Sequence, residues 1–547
     1  MATLPVHHPS TFVHAVLSTS ELARIICFHL LDVLGPPNRS STLLPLLYLA
    51  LSCRWLSYSA LEAIWSRLSS IKFLLQTLPP NSWETTDPNN AYGSFIKPKP
   101  ALRTLTAEDC SRFRMYCTFM KTVTTDLLPF DPKFFDHLER MFGPQLPLLQ
   151  LKCLIWTDSF ELPLNPFSTH FFVPSLKAVK FRVDDGGRGG YDKILPKLLE
   201  ICPGLRTIEF TDFEVDYRYK EPMDKLSGIF LHWKHLTNLE IPAISTEVFA
   251  QLAMGNDFNN GLATLRIGDM QHVDWEAFGR SVQSRTGFAN LKHLALSEIS
   301  LKGALRVLGT SRTSLTTLML EIRSILLGSD WETLFQAVRG GVDVDQIELL
   351  ALSEAPYQTW NIADERVQYP DTIGSDHLST LLPLKNLRSL YLCATYGFNI
   401  NDTSIGALAR GMSKLESLQF STTRRNTMWP PTLTFHGLAQ LALGLPELQT
   451  LSLQFDAYNV RPFDSATHAE LVSPQRRSST TFLDVRLSPI LRPTSAAEML
   501  HDIFPNLEVL RSERMYSLSV THALWMDVKN ILGLQDDRRL LNLLNMQ

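Results

Sequence analysis

The one glycine-rich loop in the chain is Gly186-Gly187-Arg188-Gly189-Gly190, after an apolar segment and before a helical one. Loops of this kind can turn backbone amides onto a phosphate. This one lacks the closing G-K-[ST] of a P-loop and does not spell G-x-G-x-x-G, so it reads as a flexible connection. His232 and His235 have a spacing that metal ligands use, but no glutamate joins them as in H-E-x-x-H. His7 and His8 lie in a terminus that reads as flexible. No G-x-S-x-G nucleophile elbow occurs. Asp184-Asp185 and Asp536-Asp537 stand in polar stretches, where carboxylates are solvated. The expectation is a protein with no catalytic residue, no metal and no cofactor: not an enzyme.

The remaining reactive or adhesive side chains point to binding. Seven scattered cysteines form no C-x-x-C pair, so they read as reduced, mostly buried thiols of a cytoplasmic or nuclear protein. Arg424-Arg425 and Arg476-Arg477 are short basic clusters, more consistent with solvated loops than with an acidic partner, and Arg511, Arg514, Arg538 and Arg539 near the C-terminus are equally ambiguous. Tyr357, Trp360 and Tyr369 crowd a proline-bounded insertion and serve either a partner or the insertion's own packing. With 51 basic against 55 acidic residues, net charge −4, nothing argues for nucleic acid. The N-terminus has no basic region or apolar run of a signal peptide, and residues 426–446 are too broken by proline, glycine and polar residues to span a membrane. A hydrophobic content of 45% excludes a disordered polymer.

The elements that hold these residues are repeated. The pattern L-x-x-L-x-L recurs at Leu176-Val179-Phe181, Leu205-Ile208-Phe210, Leu236-Leu239-Ile241, Leu262-Leu265-Ile267, Leu291-Leu294-Leu296 and Leu315-Leu318-Leu320. It continues at Val344-Ile347-Leu349, Leu387-Leu390-Leu392, Leu415-Leu418-Phe420 and Leu448-Leu451-Leu453, with weaker copies at 151–156, 482–487 and 507–512. Steps from copy to copy run from 24 to 34 residues, with one of 43. That leaves room for a strand, a loop and a helix in each unit. Apolar residues two apart share one face of a strand. The residue between them faces the other side, which nominates Lys180, Glu209, Glu240, Arg266, Ala295, Met319, Glu348, Tyr391, Gln419 and Ser452 for a concave, target-binding face. Between the strands, Asp274, Asp330, Asp402, Ser245 and Thr434 stand where a helix N-cap is needed. Strand and helix in alternation predict an α/β leucine-rich-repeat solenoid: a parallel curved sheet with outer helices.

The first eighty residues read as helices. Leu22, Ile25, Ile26, His29 and Leu30 form one stripe. Gly35-Pro36-Pro37-Asn38 breaks the chain, residues 43–52 give a very apolar second helix with Pro45 in its first turn, and residues 56–64 a third. Residues 70–78 close the module. Residues 101–127 suggest a helix and an early strand near 120–125. The resulting organisation is a flexible N-terminus (1–17), a helical domain (18–78), a proline-rich linker (79–100), repeats (101–513) with insertions near 354–373 and 456–480, and a C-terminal helical cap (514–547).

The series Glu21-Leu22, Ile25-Ile26, Leu30-Leu31, Leu46, Leu49-Ala50-Leu51, Ser52-Cys53-Arg54-Trp55, Ala60-Leu61 and Ile64-Trp65 resembles an F-box, and the A-L-x-x-[LI]-W close is similar to the F-box families of mushroom-forming fungi. The chain departs from the family in having Thr19-Ser20 for the usual L-P and an extra loop after the first helix. The resemblance implies an all-helical module placing Leu22, Ile25, Ile26, Leu30, Leu46, Leu49, Cys53, Trp55, Leu61 and Trp65 between its core and a surface that docks on a Skp-family linker, and through it a cullin scaffold. It implies a substrate-recognition adaptor of an SCF-type ubiquitin ligase whose repeats hold a protein target, with no nucleic acid or membrane partner. The alternative is a leucine-rich-repeat scaffold whose helical N-terminus only caps the array.

Overall fold

The computed structural model describes residues 20–34, 40–52, 54–79, 83–85, 96–98, 106, 108–125, 147–158, 170–183, 191–211, 226–254, 261–282, 288, 290–310, 314–355, 372–422, 431–473, 478–512 and 520–534. His7, His8, Cys53, Asp184, Asp185, the loop 186–190, Tyr357, Trp360, Tyr369, Arg424, Arg425, Arg476, Arg477, Arg514 and residues 535–547 lie outside them, as does the side chain of Trp55. The chain forms two compact units, Met1–Ala243 and Ile244–Gln547.

The first unit opens with helices α1 (Ser20–Leu34), α2 (Ser40–Ser52) and α3 (Arg54–Ser66), and runs directly into strand β1 (Arg67–Leu68) and helix α4 (Ile71–Leu75). A short antiparallel pair, Trp83–Thr85 with Ile96–Pro98, lies inside the stretch expected to be a linker. Helix α5 (Ser111–Phe119) follows, then strands β2 (Thr122–Thr125), β3 (Cys153–Asp158) and β4 (Ala178–Val183), helix α6 (Tyr191–Ile201), and strands β5 (Thr207–Thr211) and β6 (Asn238–Ala243). The six strands pair in parallel in chain order.

The second unit alternates more regularly. Helix α7 (Thr246–Ala253) precedes β7 (Thr264–Asp269), α8 (Trp275–Val282), β8 (His293–Ile299), α9 (Leu301–Thr310), β9 (Thr317–Ile322), α10 (Gly328–Gly341) and β10 (Leu349–Glu354). Then come α11 (Ser375–Ser379), β11 (Ser389–Cys393), α12 (Asp402–Gly411), β12 (Ser417–Ser421), α13 (Phe435–Gly444), β13 (Thr450–Ser452), α14 (Ser465–Val472), β14 (Phe482–Asp484), α15 (Pro493–Ile503), β15 (Val509–Arg511) and α16 (Val520–Ile531). Its nine strands β7 to β15 are likewise parallel and in chain order. The fold is the α/β leucine-rich-repeat class.

The repeat works through side chain and backbone together. In register, Leu265, Leu294, Leu318, Leu350, Leu390, Leu418, Leu451, Leu483 and Leu510 stack strand upon strand, all buried. Burial of one such side chain stabilises by about 1.5–3 kcal/mol. The residue before each strand fixes the register, because its carbonyl accepts two successive amides from the next repeat. Lys177 accepts from Arg206 and Thr207, Lys292 from Thr316 and Thr317, and Glu416 from Gln449 and Thr450.

This staple corrects two alignments. Glu348 occupies the staple position: its amide donates to Thr316 and its carbonyl accepts from Arg388 and Ser389. The copy is therefore Ile347-Leu350-Leu352, with Ala351 rather than Glu348 in the row of open-face residues. The weak copy at 482–487 is Thr480-Leu483-Val485, all buried. Thr480 takes a leucine's place because its hydroxyl donates to the Leu448 carbonyl, 2.9 Å away.

Helix starts follow the caps with two adjustments. Ser245, Asp274 and Thr434 accept amides of α7, α8 and α13. Asn401, not Asp402, caps α12; Asp402 instead accepts the Thr434 amide and hydroxyl, both at 2.7 Å, tying two repeats. Asp330 lies inside the first turn of α10 and accepts the Leu327 amide at 3.0 Å. In the region expected as the second insertion, α14 packs against α13 and α15. Gly533, at φ +70°, ends the segment after α16 in the left-handed conformation.

Candidate functional site

Two surfaces, one in each unit, gather the residues that the sequence nominated. The helical module packs around Cys27, Leu31, Leu46, Ala60 and Ala63, with Phe28, Leu30, Leu43, Leu49, Ala50 and Ile64 against them. Helix α1 turns Ala23, Cys27 and Leu31 inward. Its bulkier stripe, Leu22, Ile25 and Ile26, faces solvent, with Ile25 63% exposed. Of the residues expected to divide between core and surface, these three fall on the surface, and the smaller Ala23 and Cys27 let the helices approach closely. Helix α2 behaves alike: Leu46 is buried, while Leu44, Leu47, Tyr48 and Leu51 share one exposed face at helical spacing. Tyr48 is 64% and Leu51 77% exposed. Tyr58 on α3 is also exposed.

The other face of α3 joins the module to the first repeat. Glu62 is buried and meets Arg24 at 2.9 Å and Lys121 at 3.3 Å. The Lys121 ammonium also lies 4.3 Å from the centre of the Phe28 ring. Trp65 stacks on Tyr116 at 4.1 Å, and Tyr58 meets Phe119 edge-on at 5.0 Å. Trp65 is thus engaged inside the unit, and Leu61 is half-buried. Leu44, Leu47 and Tyr48 were not nominated from the sequence; the signal was a second helix apolar on every side with too little core to receive it.

The second surface is the helix-free face of the second unit. One residue from each strand stands in a single row: Arg266, Ala295, Met319, Ala351, Tyr391, Gln419, Ser452, Asp484 and Arg511. A hollow of about 580 Å³ runs along this face, with a lining that extends from Arg266 through Met319, Glu321 and Tyr391 to Asp484 and Arg511. Arg486, at φ +52°, turns back along the face. It donates to Ser452 at 3.0 Å and Ser421 at 2.5 Å, and lies 3.5 Å from the Asp484 carboxylate. Burial holds the Tyr391 hydroxyl well above its ordinary range, with Cys393 adding to the effect. Beneath the edge of β10, the buried carboxylate of Glu354 accepts from the amides of Leu326 at 3.0 Å and Thr395 at 2.6 Å, and from the Trp331 indole at 3.2 Å. In the first unit Lys180, Glu209 and Glu240 are also in one row, but Lys180 and Glu209 are ion-paired at 2.5 Å.

The other chemistry-bearing residues do not converge. His232 and His235 are exposed on either side of buried Trp233. Among the described residues no group of three or more His, Cys, Asp or Glu is placed to hold a metal ion, and no helix is long and apolar enough to cross a membrane. The described cysteines are free thiols. Burial pushes Cys202 up to about 12, and Cys117 up as well, so neither is a thiolate nucleophile.

No family model matches the chain, and no curated protein matches it. Solved structures that are similar include a chain from the crystal structure of the Rad7 and Elc1 complex in yeast, 13% identical, with a TM-score of 0.37, covering 94% of this chain and 97% of that one. At that score the likeness carries no argument. The chain's own residues define a leucine-rich-repeat protein with a helical module at its N-terminal end.

Proposed function

We propose that the protein is a substrate-recognition adaptor of an SCF-type cullin–RING ubiquitin ligase. The helical module docks on a Skp-family linker, and through it a cullin, while the open face of the repeats holds a protein target. The observation that carries this reading is the pair of unpartnered apolar stripes, Leu22-Ile25-Ile26 on α1 and Leu44-Leu47-Tyr48-Leu51 on α2, in a module that resembles an F-box. A helix that only capped the array would keep such residues inside, since exposed apolar patches mark interaction surfaces. The adaptor forms and breaks no bond. It raises the effective concentration of the target near a ubiquitin-charged enzyme, in the cytoplasm or nucleus. Fixed geometry serves that role, and the Glu62 and Trp65 contacts supply it at the junction of module and first repeat.

The test is co-purification of the full-length protein with a Skp-family linker. Ile25→Asp and Leu47→Asp replace exposed side chains, so melting stays unchanged while linker affinity falls at least tenfold, about 1.4 kcal/mol. Wild-type protein that does not bind the linker, or variants that bind it undiminished, would leave the module as a cap.

A further inference from the structure

The staple residues of the first unit share one charge. Lys121, Lys152, Lys177 and Arg206 follow one another along the edge where the strands begin, the amide of each held by the carbonyl of the one before. In the turn ahead of β6, exposed Lys234 stands where Leu149, Pro174 and Pro203 stand ahead of β3, β4 and β5. Lys121 is committed to Glu62. Among the described residues no ion pair engages Lys152, Lys177, Arg206 or Lys234. Nearby carboxylates are taken elsewhere, Glu200 by Lys197 and Glu209 by Lys180, and the turns 149–152, 174–177, 203–206 and 234–237 contain no Asp or Glu. Lys152 and Arg206 are exposed. Lys177 holds its ammonium 3.4 Å from the Gly204 carbonyl, in space that a side chain at 204 would crowd. In the second unit the same row runs Ala263, Lys292, Thr316, Glu348, Arg388, Glu416, Gln449, Thr481 and Glu508, where charges of both signs meet and Arg388 pairs with Glu416. Like charges on neighbouring strands repel, so the all-cationic row weakens the first unit unless an anion lies along it.

We infer that this rim of the first unit binds an acidic segment of a partner protein. At about 4.8 Å per strand, the three steps from β3 to β6 cover about 14 Å. An extended chain presents side chains to one face about every 6.7 Å, so about five residues with two or three carboxylates fill the rim. Nucleic acid fits less well: single strands are held on exposed aromatic rings, and Trp233, the one aromatic residue of these turns, is fully buried. A membrane surface also fits less well, because interfacial binding uses several large apolar side chains and Leu149 alone in these turns is one that is exposed. Leu149 instead gives the segment an apolar contact in the same turn as Lys152. This edge is neither the open face nor the stripes of α1 and α2, so the inference stands independently of the adaptor reading.

The experiment follows the anisotropy of a fluorescein-labelled twelve-residue peptide, Glu and Ser in alternation, titrated with the full-length protein, beside the same peptide with Gln for Glu. The acidic peptide is expected to bind saturably and the Gln peptide not, with affinity falling as added salt shortens the screening length from about 10 Å to about 3 Å. Lys152→Glu and Arg206→Glu, at exposed sites that leave melting unchanged, each weaken binding several-fold and together at least tenfold; Arg206→Gln gives a smaller loss than Arg206→Glu. Lys385→Glu, at the matching turn of the second unit, leaves binding unchanged. No saturable binding, equal binding of the Gln peptide, a double variant that binds undiminished, or an equal loss in Lys385→Glu would overturn the rim. An oligo-dT strand or a phosphatidylserine vesicle that binds through the same residues more tightly than the peptide would overturn the acidic protein segment as its occupant.

Discussion

In the first unit the open row runs Ile155, Lys180, Glu209 and Glu240; in the second it runs from Arg266 through Ala295, Met319, Ala351 and Tyr391 to Arg511. Both rows lie on the same kind of parallel register, one residue out from the same apolar ladder. In the first, Lys180 and Glu209 answer each other across one strand spacing. In the second, the row lines a hollow of about 580 Å³ and begins and ends on an exposed arginine. The backbone therefore decides where a side chain is presented, and the residue between the two leucines decides whether that position is already satisfied. The nominations Arg266, Met319, Tyr391 and Gln419 fall on the surface with room for a ligand, whereas Lys180 and Glu209 are engaged with each other.

The largest effects belong to what the two rows share. Ile208 in the first unit and Leu390 in the second are fully buried at equivalent ladder positions. Truncation to Ala at either site is expected to cost about 2–5 kcal/mol, read from the urea midpoint of the full-length chain. A loss at Leu390 with none at Ile208 would break the premise that both faces rest on one kind of core.

Smaller and specific to the second unit is the carboxylate of Glu354. Its removal in Glu354→Ala leaves the Trp331 indole and two amides without their acceptor, at a cost of about 1–3 kcal/mol. Burial pushes its pKa up, while hydrogen bonds from Thr395, Leu326 and Trp331 pull it down less strongly. A carboxyl raised in the folded state binds its proton more tightly there than when unfolded. Its contribution is therefore most favourable below the ordinary value of 4.5 and declines as pH rises through the folded value. Urea midpoints between pH 4.5 and 8 should fall more steeply for the wild type than for Glu354→Gln. Equal slopes would show that the donors hold the group ionised throughout.

How legible these features were in the sequence depends on how many phases each segment allowed. Leu205-Ile208-Phe210 fits one phase, and its strand was plain. At 347–352 the adjacent Leu349 and Leu350 allow two, and only the staple made by the Glu348 backbone decides between them. Thr480 hid a repeat because a hydroxyl bonded to a carbonyl can sit where leucine is usual. Strand β1 is two residues long and leaves no period to read. Helix α1 left its division open for a different reason: hydrophobicity ranks Leu22, Ile25 and Ile26 above Ala23 and Cys27, but the smaller side chains fill the core. The stripe was thus visible as an apolar stripe, but which of its members enter the core was not. The hollow is lined by residues from all nine strands of the second unit, so it exists only once the register is known.

The smallest effect tests the contrast from its quiet side. Lys180 is about two-fifths exposed and pairs with a less exposed Glu209. Such a pair, screened by solvent, is worth roughly 0–1 kcal/mol. Lys180→Ala should move the urea midpoint barely at all, and should change neither linker co-purification nor binding of the acidic peptide. If instead it lowered that peptide's affinity as much as Arg206→Glu, the open row would be part of the cationic rim, and the ion pair would be a surface held ready for a partner rather than one that satisfies itself. If Lys180→Glu combined with Glu209→Lys restored a lost stability, the pair would be structural, and the division between a satisfied row and an open one would stand on a measured coupling.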